Sequence, residues 1–260
     1  MKFIHITDTH LVEPGNRIYG LDPLDRLARC IADINRHHAD AEFAIVTGDL
    51  AHGGKLPAYL ALREVFSGLR LKTHFLLGNH DDRGLFLDVF PESPRDADGF
   101  IQFAFDTELG RFICRDTNQP GVPWGLLCEL RLAWLKAELH RAGDAPVYLF
   151  MHHPPFRVGI KRMDENSLRE PEKFAAVVAG HRNIRHLFFG HLHRPVGGSW
   201  RGIPITTMRA TAHQVALDFV MEGKTPGSLE PPAYAVVLAD ADQTVVHFHD
   251  YLDKTNTFVL

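Results

Sequence analysis

The chain has 260 residues, of which 45% are hydrophobic and 23% charged, and its formal net charge is −4. This length fits one large domain or two small ones, and the composition is that of an ordinary globular protein. The slightly acidic balance, with no long basic run, disfavours binding to duplex nucleic acid or to an anionic membrane surface.

Cysteine usage and the lack of long apolar runs indicate the compartment. The three cysteines are odd in number and show no CxxC spacing, so we expect free side chains in a reducing environment. No apolar stretch approaches the roughly 18–20 residues of a membrane span. Met1 leads directly into a strand pattern, without the basic segment and apolar core of a signal peptide. We therefore expect a cytoplasmic protein with no membrane segment.

The first half of the chain alternates strand and helix patterns. Asp22-Pro23 is typical of a helix N-cap followed by proline in the first turn. The alternation predicts a parallel sheet with right-handed crossovers. Its predicted elements are strand 2–7, a helix over 24–35, strand 42–47, a helix near 56–69 and strand 73–77.

From residue 100 the pattern changes to a predicted antiparallel hairpin and further strands. No composition break marks a linker, so we expect one mixed α/β domain over 1–260 with a two-layer sheet core flanked by helices. The irregular segments 154–171 and 218–232 are candidate lids or subunit contacts, as is the tail 257–260. The predicted elements are strands 100–106 and 111–116, a helix near 126–141, strand 147–150, a helix near 171–182, and strands 184–189, 203–208, 233–239 and 244–249.

Polar side chains that bind metals follow five of the predicted strands, at the point where each strand ends. Five junctions that all carry Asp, Asn or His are hard to obtain by chance. Because ligands of open α/β sheets bind at the carboxyl ends of the strands, we expect these side chains to meet there. In chain order they are Asp8, His10, Asp49, Asn79, His80, His152, His153, His191 and His193.

This set of donors suits two divalent or trivalent metal ions. Carboxylate and imidazole groups favour Mn, Fe, Zn or Co, and residues i and i+2 of a strand end point to the same side. The two oxygens of Asp49 can bridge two ions, while Asn79 offers a neutral oxygen. Two ions about 3.5–4 Å apart can clamp a phosphoryl group and lower the pKa of a shared water.

The order of these residues resembles the signature of the calcineurin-like metallophosphoesterases, which reads DxH, GD, GNH[D/E], H and GHxH. All five blocks are present between residues 8 and 193. The resemblance implies a four-layer α/β/β/α sandwich with a dinuclear site at the sheet ends. It assigns His80 to the phosphate, where it stabilises the transition state or protonates the leaving group. It assigns Asp8, His10 and His193 to one metal, Asn79, His152 and His191 to the other, and Asp49 to the bridge.

Within that superfamily the chain resembles the branch of class III cyclic-nucleotide phosphodiesterases and glycerophosphodiesterases. The resemblance rests on the short length, Asp-Thr-His at 8–10, His-His-Pro-Pro at 152–155 and the first loop at 17–20. It implies a further active-site histidine, for which His213 is the matching candidate. One position departs from the pattern, because His52 stands where the branch has Asp or Asn.

Four further residues are candidate contacts for the part of the substrate that does not react. Arg17 and Tyr19 belong to the first loop, and either one can instead be a solvated or packed side chain. His153 is either a substrate neighbour or a hydrogen-bonded support for the site. Phe156 is the aromatic residue that is a candidate for contact with a nucleobase.

The sequence therefore predicts a dinuclear metal-dependent phosphodiesterase, in which a metal-bound hydroxide attacks the phosphorus in line with the leaving group. Its expected substrates are small phosphodiesters, either cyclic nucleotides or glycerophosphodiesters. A phosphomonoesterase of the same superfamily is the alternative, and a scaffold that has lost catalysis is a third possibility. A homo-oligomer, dimeric or higher, is also compatible with the candidate contact segments.

Overall fold

The computed structural model describes residues 1–253 and 258, so of the tail 257–260 only Phe258 belongs to the described part. Two large mixed sheets lie between helices. The elements in chain order are β1 (Lys2–Ile6), α1 (Pro23–His37), β2 (Phe43–Thr47), α2 (Leu56–Ser67), β3 (Lys72–Leu76), α3 (Arg83–Val89), β4 (Phe103–Thr107), β5 (Gly110–Arg115), α4 (Glu129–Ala142), β6 (Val147–Met151), α5 (Lys161–Glu165), α6 (Pro171–Val178), β7 (Ile184–Phe189), β8 (Val196–Trp200), β9 (Ile203–Thr207), β10 (Gln214–Val215), β11 (Gly227–Ser228), β12 (Tyr234–Ala239) and β13 (Thr244–His249).

The first sheet has the order β13-β12-β1-β2-β3. Strands β1, β2 and β3 run parallel, as the βαβαβ pattern predicts, while β12 and β13 complete the sheet in antiparallel pairing. The second sheet has the order β4-β5-β6-β7-β9-β8. Its hairpin β4–β5 is antiparallel as predicted, and β5, β6, β7 and β9 form a parallel centre.

Side-chain alternation along the strands builds two faces on each sheet. In β1, Phe3 points into the core between the sheets, whereas Ile4 and Ile6 pack on the opposite face. The core between the sheets is rich in aromatic rings: Phe150 and Phe188, for example, stack with their centroids 4.8 Å apart. Such rings bury a large apolar area each, so they hold the two sheets face to face.

Helices cover the outer face of each sheet. Helices α1, α2 and α3 pack on the first sheet, and α4 and α6 pack on the second. The predicted four-layer α/β/β/α sandwich is confirmed. Within residues 1–253 and 258, no helix has both the length and the apolar character needed to cross a membrane.

Several elements differ from the sequence prediction. Helix α3 and strand β8 were not predicted; α3 is short and begins after Asp82, whose carboxylate accepts a hydrogen bond from the Leu85 amide. Strand β4 begins at residue 103 and not at 100. Phe100 instead lies outside the strand, with the guanidinium groups of Arg83 and Arg131 over its ring. The ring of Phe100 is thus held by cation–π contacts and not by strand pairing.

Buried histidines between the sheets make the stability of the fold sensitive to acid. Burial lowers the pKa of His74 to about 4, and His186, also buried, has a pKa of about 4. Unfolded histidine has a pKa near 6.5, so between these values the unfolded chain binds more protons than the folded one. The free energy of unfolding therefore falls as the pH drops from about 6.5 to about 4.

Replacing His74 with Phe should reduce the number of protons that the chain takes up on unfolding by about one. His74 already stacks on Phe105 with ring centroids 4.5 Å apart, so a phenyl ring fits the same contact. We expect the slope of unfolding free energy against pH, measured by urea titration between pH 4.5 and 6, to fall by about 1.4 kcal/mol per pH unit. His247→Phe on the exposed face of β13 is the control. An unchanged slope in His74→Phe would show that this histidine is protonated in the folded state.

Candidate metal centre and substrate cavity

The candidate metal ligands meet at the carboxyl ends of β1, β2, β3, β6 and β7, where the two sheets come together. The backbone around them is unusual, because five residues that are not glycine have positive φ angles. Such conformations are costly for residues with a Cβ atom and are found preferentially at functional sites. The five are Asp8 (φ 53°), His10 (44°), Asp49 (49°), His191 (67°) and His193 (47°).

The first group of donors consists of Asp8, His10, Asp49 and His193, whose ligand atoms all lie within 4.8 Å of one another. The Nε2 atom of His193 lies 3.1 Å from Asp8 Oδ1, and 3.0 Å from Nε2 of His10. The Nε2 atom of His10 also lies 3.5 Å from Asp49 Oδ2. All four side chains are buried, so one small cation at their centre would be enclosed by protein donors.

The second group consists of Asn79, His152 and His191, together with the other oxygen of Asp49. The Oδ1 atom of Asn79 lies 3.3 Å from Nε2 of His152 and 3.1 Å from Nδ1 of His191. The Oδ1 atom of Asp49 lies 3.5 Å from Nε2 of His152. The two oxygens of Asp49 thus face different donor groups, which is the arrangement that a bridging carboxylate requires.

The charge and hydrogen bonding of these residues fit bound cations. Burial raises the pKa of Asp49, but the histidines around it, His152 first, bring the pKa well below its ordinary value. Burial lowers the pKa of His152, while Asp49 more than offsets this and raises it to about 9. The buried carboxylates of Asp8 and Asp49 therefore attract positive charge. Nδ1 of His191 faces the second donor group, while its Nε2 is buried without a hydrogen-bond partner among the described residues.

Backbone carbonyls orient two of the candidate ligands. The Nδ1–H group of His152 donates to the Thr47 carbonyl at 2.7 Å, and that of His193 donates to the His213 carbonyl at 2.8 Å. Each contact places a proton on Nδ1 and turns Nε2 towards the donor groups, where it can bind an ion once it is deprotonated. Metal-binding histidines are commonly oriented in this way.

Glycine is required where the loops approach each other. A Cβ atom on Gly78 would overlap the carboxylate and backbone of Asp49, and one on Gly190 would overlap the Thr7 hydroxyl. These glycines belong to the GNHD and GHxH blocks. Their spacing in the sequence thus reflects close packing between loops as well as ligand chemistry.

The backbone of His80 binds the carboxylate of Asp49, while its side chain lines the cavity. Its amide donates to Asp49 Oδ1 at 2.9 Å, and its Nδ1–H group donates to the His52 carbonyl at 2.7 Å. These two contacts hold the ring beside the donor groups and leave its Nε2 atom for a substrate.

Asp81 ties the loops after β2 and β3 to each other and to helix α2. Its buried carboxylate accepts hydrogen bonds from the amides of Leu50, Ala51 and Gly78 and from the Tyr59 hydroxyl. Burial, and then the charge of Asp49, raise its pKa to about 6. The cap of α3 is the neighbouring Asp82. Asp81 therefore fixes the positions of the Asp49 and Asn79 loops.

Asn118 is a supporting residue that the sequence analysis missed. Its side-chain amide donates to the carbonyls of Gly78 and Asp81, on both sides of the predicted ligand Asn79. The backbone carbonyl of Asn118 accepts a hydrogen bond from the guanidinium group of the buried Arg131. A signal was present, because 116–118 is a polar run directly after β5 and so repeats the strand-end pattern.

A second missed feature is a relay of hydroxyl groups. His5 lies between the sheets and contacts Thr47 Oγ1 at 2.9 Å. Thr47 donates to Thr7 Oγ1 at 2.8 Å, and Thr7 donates to Asp8 Oδ2 at 2.6 Å. The relay joins the core to a predicted ligand and fixes the orientation of the Asp8 carboxylate.

The predicted substrate contacts lie in different places. Tyr19 lines the cavity, and its ring centroid lies 4.8 Å from that of His213, which also lines it. Arg17 is exposed and bonds the Gly20 carbonyl of its own loop. Phe156 packs edge to face on Phe189, 5.3 Å between centroids, on the outer side of the second sheet.

His153 is buried directly behind the second donor group. Its Nδ1 atom lies 2.8 Å from Thr117 Oγ1, and its ring centroid lies 4.7 Å from those of His152 and His191. Burial lowers its pKa well below the ordinary value. Arg17, Phe156 and His153 are not among the residues that line the cavity, so direct substrate contact by these three has no support in the structure.

A cavity of about 520 Å³ opens beside the donor groups. The irregular segments 154–171 and 218–232, called the first and second cap segments from here on, both contribute to it. The short pairing of β10 with β11 holds the second cap segment in place. Among its described lining residues, Asp49 is the one carboxylate, and no Lys or Arg is present. Apart from the strand-end residues and His52, the wall consists of Tyr19, Pro123, Met163, Asn166, His213, Gln214, Val215, Thr225, Pro226, Gly227, Ser228 and Leu229.

Comparison with known proteins agrees with the fold and the motifs. The model of the calcineurin-like phosphoesterase family matches residues 1–195. A "probable cyclic nucleotide phosphodiesterase" of Rhodopseudomonas palustris is 50% identical over 95% of this chain and 91% of its own. A glycerophosphodiester phosphodiesterase of Enterobacter lignolyticus is 31% identical over 83% of this chain and 79% of its own.

A solved structure has the same architecture. The dimetal phosphatase from Danio rerio superposes with a TM-score of 0.76 at 15% identity, covering 97% of this chain and 96% of its own. At that identity the likeness concerns the fold alone. Fold and relatives together define a phosphoesterase. More particularly, the chain belongs to the calcineurin-like phosphoesterase family, as its five motif blocks predict.

Asp49→Ala should abolish loading of both metal positions, because it removes the one carboxylate that faces both donor groups. We expect metal content, measured by mass spectrometry after dialysis against Mn²⁺ or Zn²⁺, to fall from about two ions per chain to near zero. The exposed Asp88→Ala variant is the control. Full metal content in Asp49→Ala would contradict a bridging role.

Asn118→Ala should reduce turnover without removing a metal ligand. Loss of its amide frees the loop that carries Asn79 and His80, and small misplacements of catalytic groups cost up to about 100-fold in rate. We expect kcat to fall about 10–100-fold with metal content retained. Asn183→Ala is a matched control, since Asn183 also donates to two backbone carbonyls but lies far from the site. Equal, small effects of both changes would rule out this positioning role.

Proposed function

We propose that this calcineurin-like phosphoesterase is a dinuclear metal-dependent phosphodiesterase that prefers 3′,5′-cyclic nucleotides to glycerophosphodiesters. The observation that carries the proposal is the uncharged wall of the cavity beside the candidate metal ligands. The 50% identical relative from Rhodopseudomonas palustris, a probable cyclic nucleotide phosphodiesterase, supports the same preference.

The cavity suits a substrate whose charge is confined to its phosphate. Its size is within the range of about 300–1,000 Å³ typical of small-molecule sites. Met163, Pro226 and Leu229 offer apolar surface to the faces of a purine ring, and Asn166 and Ser228 offer hydrogen-bonding groups. A nucleoside is neutral and has both kinds of surface.

Glycerophosphodiesters fit this wall less well. A glycerol group is small and hydroxylated, so it would leave the apolar side chains exposed to water. A choline or ethanolamine group carries a positive charge, which is commonly bound by carboxylates or a cage of aromatic rings. In the described part of the cavity Tyr19 is the one aromatic ring that is not a histidine, and it is 66% exposed.

The residues around the phosphate have separable tasks. When bound, two metal ions would neutralise the phosphate and lower the pKa of a nearby water. Asp8, His10 and His193 would hold one ion, and Asn79, His152 and His191 the other, with Asp49 between them. His80 is held by its contacts to Asp49 and His52 and presents Nε2 to the leaving oxygen. His213 lines the cavity beside His10, with ring centroids 4.8 Å apart, and can donate a hydrogen bond to a phosphate oxygen.

The identity of the ions, the cellular location and self-association stay predictions. The donor set suits Mn, Fe, Zn or Co, and metal supply decides among them. Free Cys30 and Cys114 support a reducing, cytoplasmic setting. A homo-oligomer formed through the second cap segment would bury the exposed side chains of Leu217, Phe219 and Val220.

Two substrate pairs test the proposal on Mn²⁺-loaded protein. The kcat/KM for bis(p-nitrophenyl) phosphate should exceed that for p-nitrophenyl phosphate, and that for cyclic AMP or cyclic GMP should exceed that for glycerophosphocholine at least tenfold. Preference for the monoester would establish the phosphomonoesterase alternative. Preference for glycerophosphocholine would keep the phosphodiesterase but overturn the nucleotide preference. Metal binding without hydrolysis of any ester would indicate a scaffold.

His80→Ala should lower kcat while leaving the metal content unchanged. The side chain does not belong to either donor group, and a positioned general acid typically contributes about 10²–10⁴-fold. We expect a loss within that range with KM nearly constant, measured by steady-state kinetics on the cyclic nucleotide. A change in KM alone would make His80 a binding residue.

A further inference from the structure

His52 contacts both a predicted metal ligand and the predicted catalytic histidine. Its Nδ1 atom lies 3.1 Å from Nδ1 of His10, and its carbonyl accepts the Nδ1–H group of His80 at 2.7 Å. Its ring stacks on that of His80, with centroids 5.0 Å apart and planes at 19°. His52 is the position where the sequence departs from the pattern that the family resemblance leads us to expect, which is Asp or Asn.

The direction of the His10–His52 hydrogen bond follows from the metal-binding geometry. Nε2 of His10 faces Asp8, Asp49 and His193 and must keep its lone pair to bind an ion. Its proton therefore resides on Nδ1 and is donated to His52. Nδ1 of His52 must then be an acceptor, so the proton of the neutral His52 ring is on Nε2.

A neutral acceptor has a different effect from a carboxylate at this position. The group that accepts the outer N–H of a metal-binding histidine sets its ring orientation and its basicity, and its loss typically costs about 10–100-fold in metal affinity or activity. A carboxylate would add a further negative charge next to Asp8 and Asp49, which are both buried. His52 supplies the hydrogen bond without that charge.

We propose that His52 is a positioning residue with two separable roles, an inference that rests on the proposed function. Its Nδ1 atom orients His10 for the metal position that His10 shares with Asp8 and His193. Its ring, stacked face to face, holds His80 in the orientation that presents Nε2 to the substrate. One side chain thereby couples the metal position to the catalytic histidine.

Two substitutions separate these roles. His52→Asn keeps an acceptor oxygen near the Nδ1 position but loses the stacked ring, whereas His52→Ala loses both. His37→Ala is the control, because His37 is a half-exposed histidine on α1 whose partner is Asp33, away from the site. Each protein, stripped of metal, is titrated with Zn²⁺ or Co²⁺ against a chromophoric chelator, and kcat and KM are measured after loading. Thermal unfolding shows whether each variant is folded.

The expected result is that His52→Ala weakens one of two metal equivalents about 10–100-fold and leaves the other nearly unchanged. His52→Asn should restore most of that affinity. Both variants should lose about tenfold or more in kcat at metal saturation, with KM unchanged, because both lack the stacked ring. The His37→Ala control should match the native protein.

Three outcomes would overturn the proposal. Native affinity for both equivalents in His52→Ala would exclude the orienting role, and equal weakening in His52→Ala and His52→Asn would exclude the acceptor. A third metal equivalent in the native protein that is lost in His52→Ala would make His52 a ligand. Failure of the proposed function can be distinguished from failure of this inference. In that case the native protein would bind two ions and hydrolyse no phosphodiester, while the differences in metal affinity between the native protein and the His52 variants would still be measured.

Discussion

The structure depends on a carboxylate buried between two groups of imidazoles. Asp49 is 2% exposed, and its two oxygens lie 3.5 Å from Nε2 of His10 and of His152. A buried charge of this kind is tolerated only when it is paired and hydrogen-bonded. The surrounding loops meet that requirement, because they bring donors from both sheets within reach. The glycines of the motif blocks and the left-handed backbone at the ligands follow from the same crowding.

Around that carboxylate, support comes from groups that do not belong to either donor set. Asp81 joins the loops after β2 and β3, and Asn118 holds the second of these loops from the side of the other sheet. The hydroxyl relay from His5 fixes Asp8. Precise placement of catalytic groups needs such supports, since displacements of about 1 Å can cost orders of magnitude in rate. The network also joins the two sheets at the edge where the strands end, so stability and site geometry share the same contacts.

The cavity beside the candidate metal ligands has a floor and a wall that differ in chemistry. The donor groups form its floor and make the same demands on any phosphoester. The wall formed by the cap segments is uncharged and partly apolar, which is the basis of the proposed preference for a neutral, flat group on the ester. His52 lies at the boundary between floor and wall, next to His10 and His80.

The sequence by itself determined the strands of the parallel cores, the five motif blocks and the layered architecture. Strong alternation of apolar residues and strand-end polar residues are local signals, and the motif order ties them to one family. Only the tertiary structure decided which residues support the site: Asn118 lies 40 residues from Gly78 in the chain, and the hydrogen bond between them depends on how the two sheets pack. It also placed Phe156 and Arg17 away from the cavity and Phe100 under two arginines, because a side chain's neighbours across a sheet interface leave no periodic signal in the sequence.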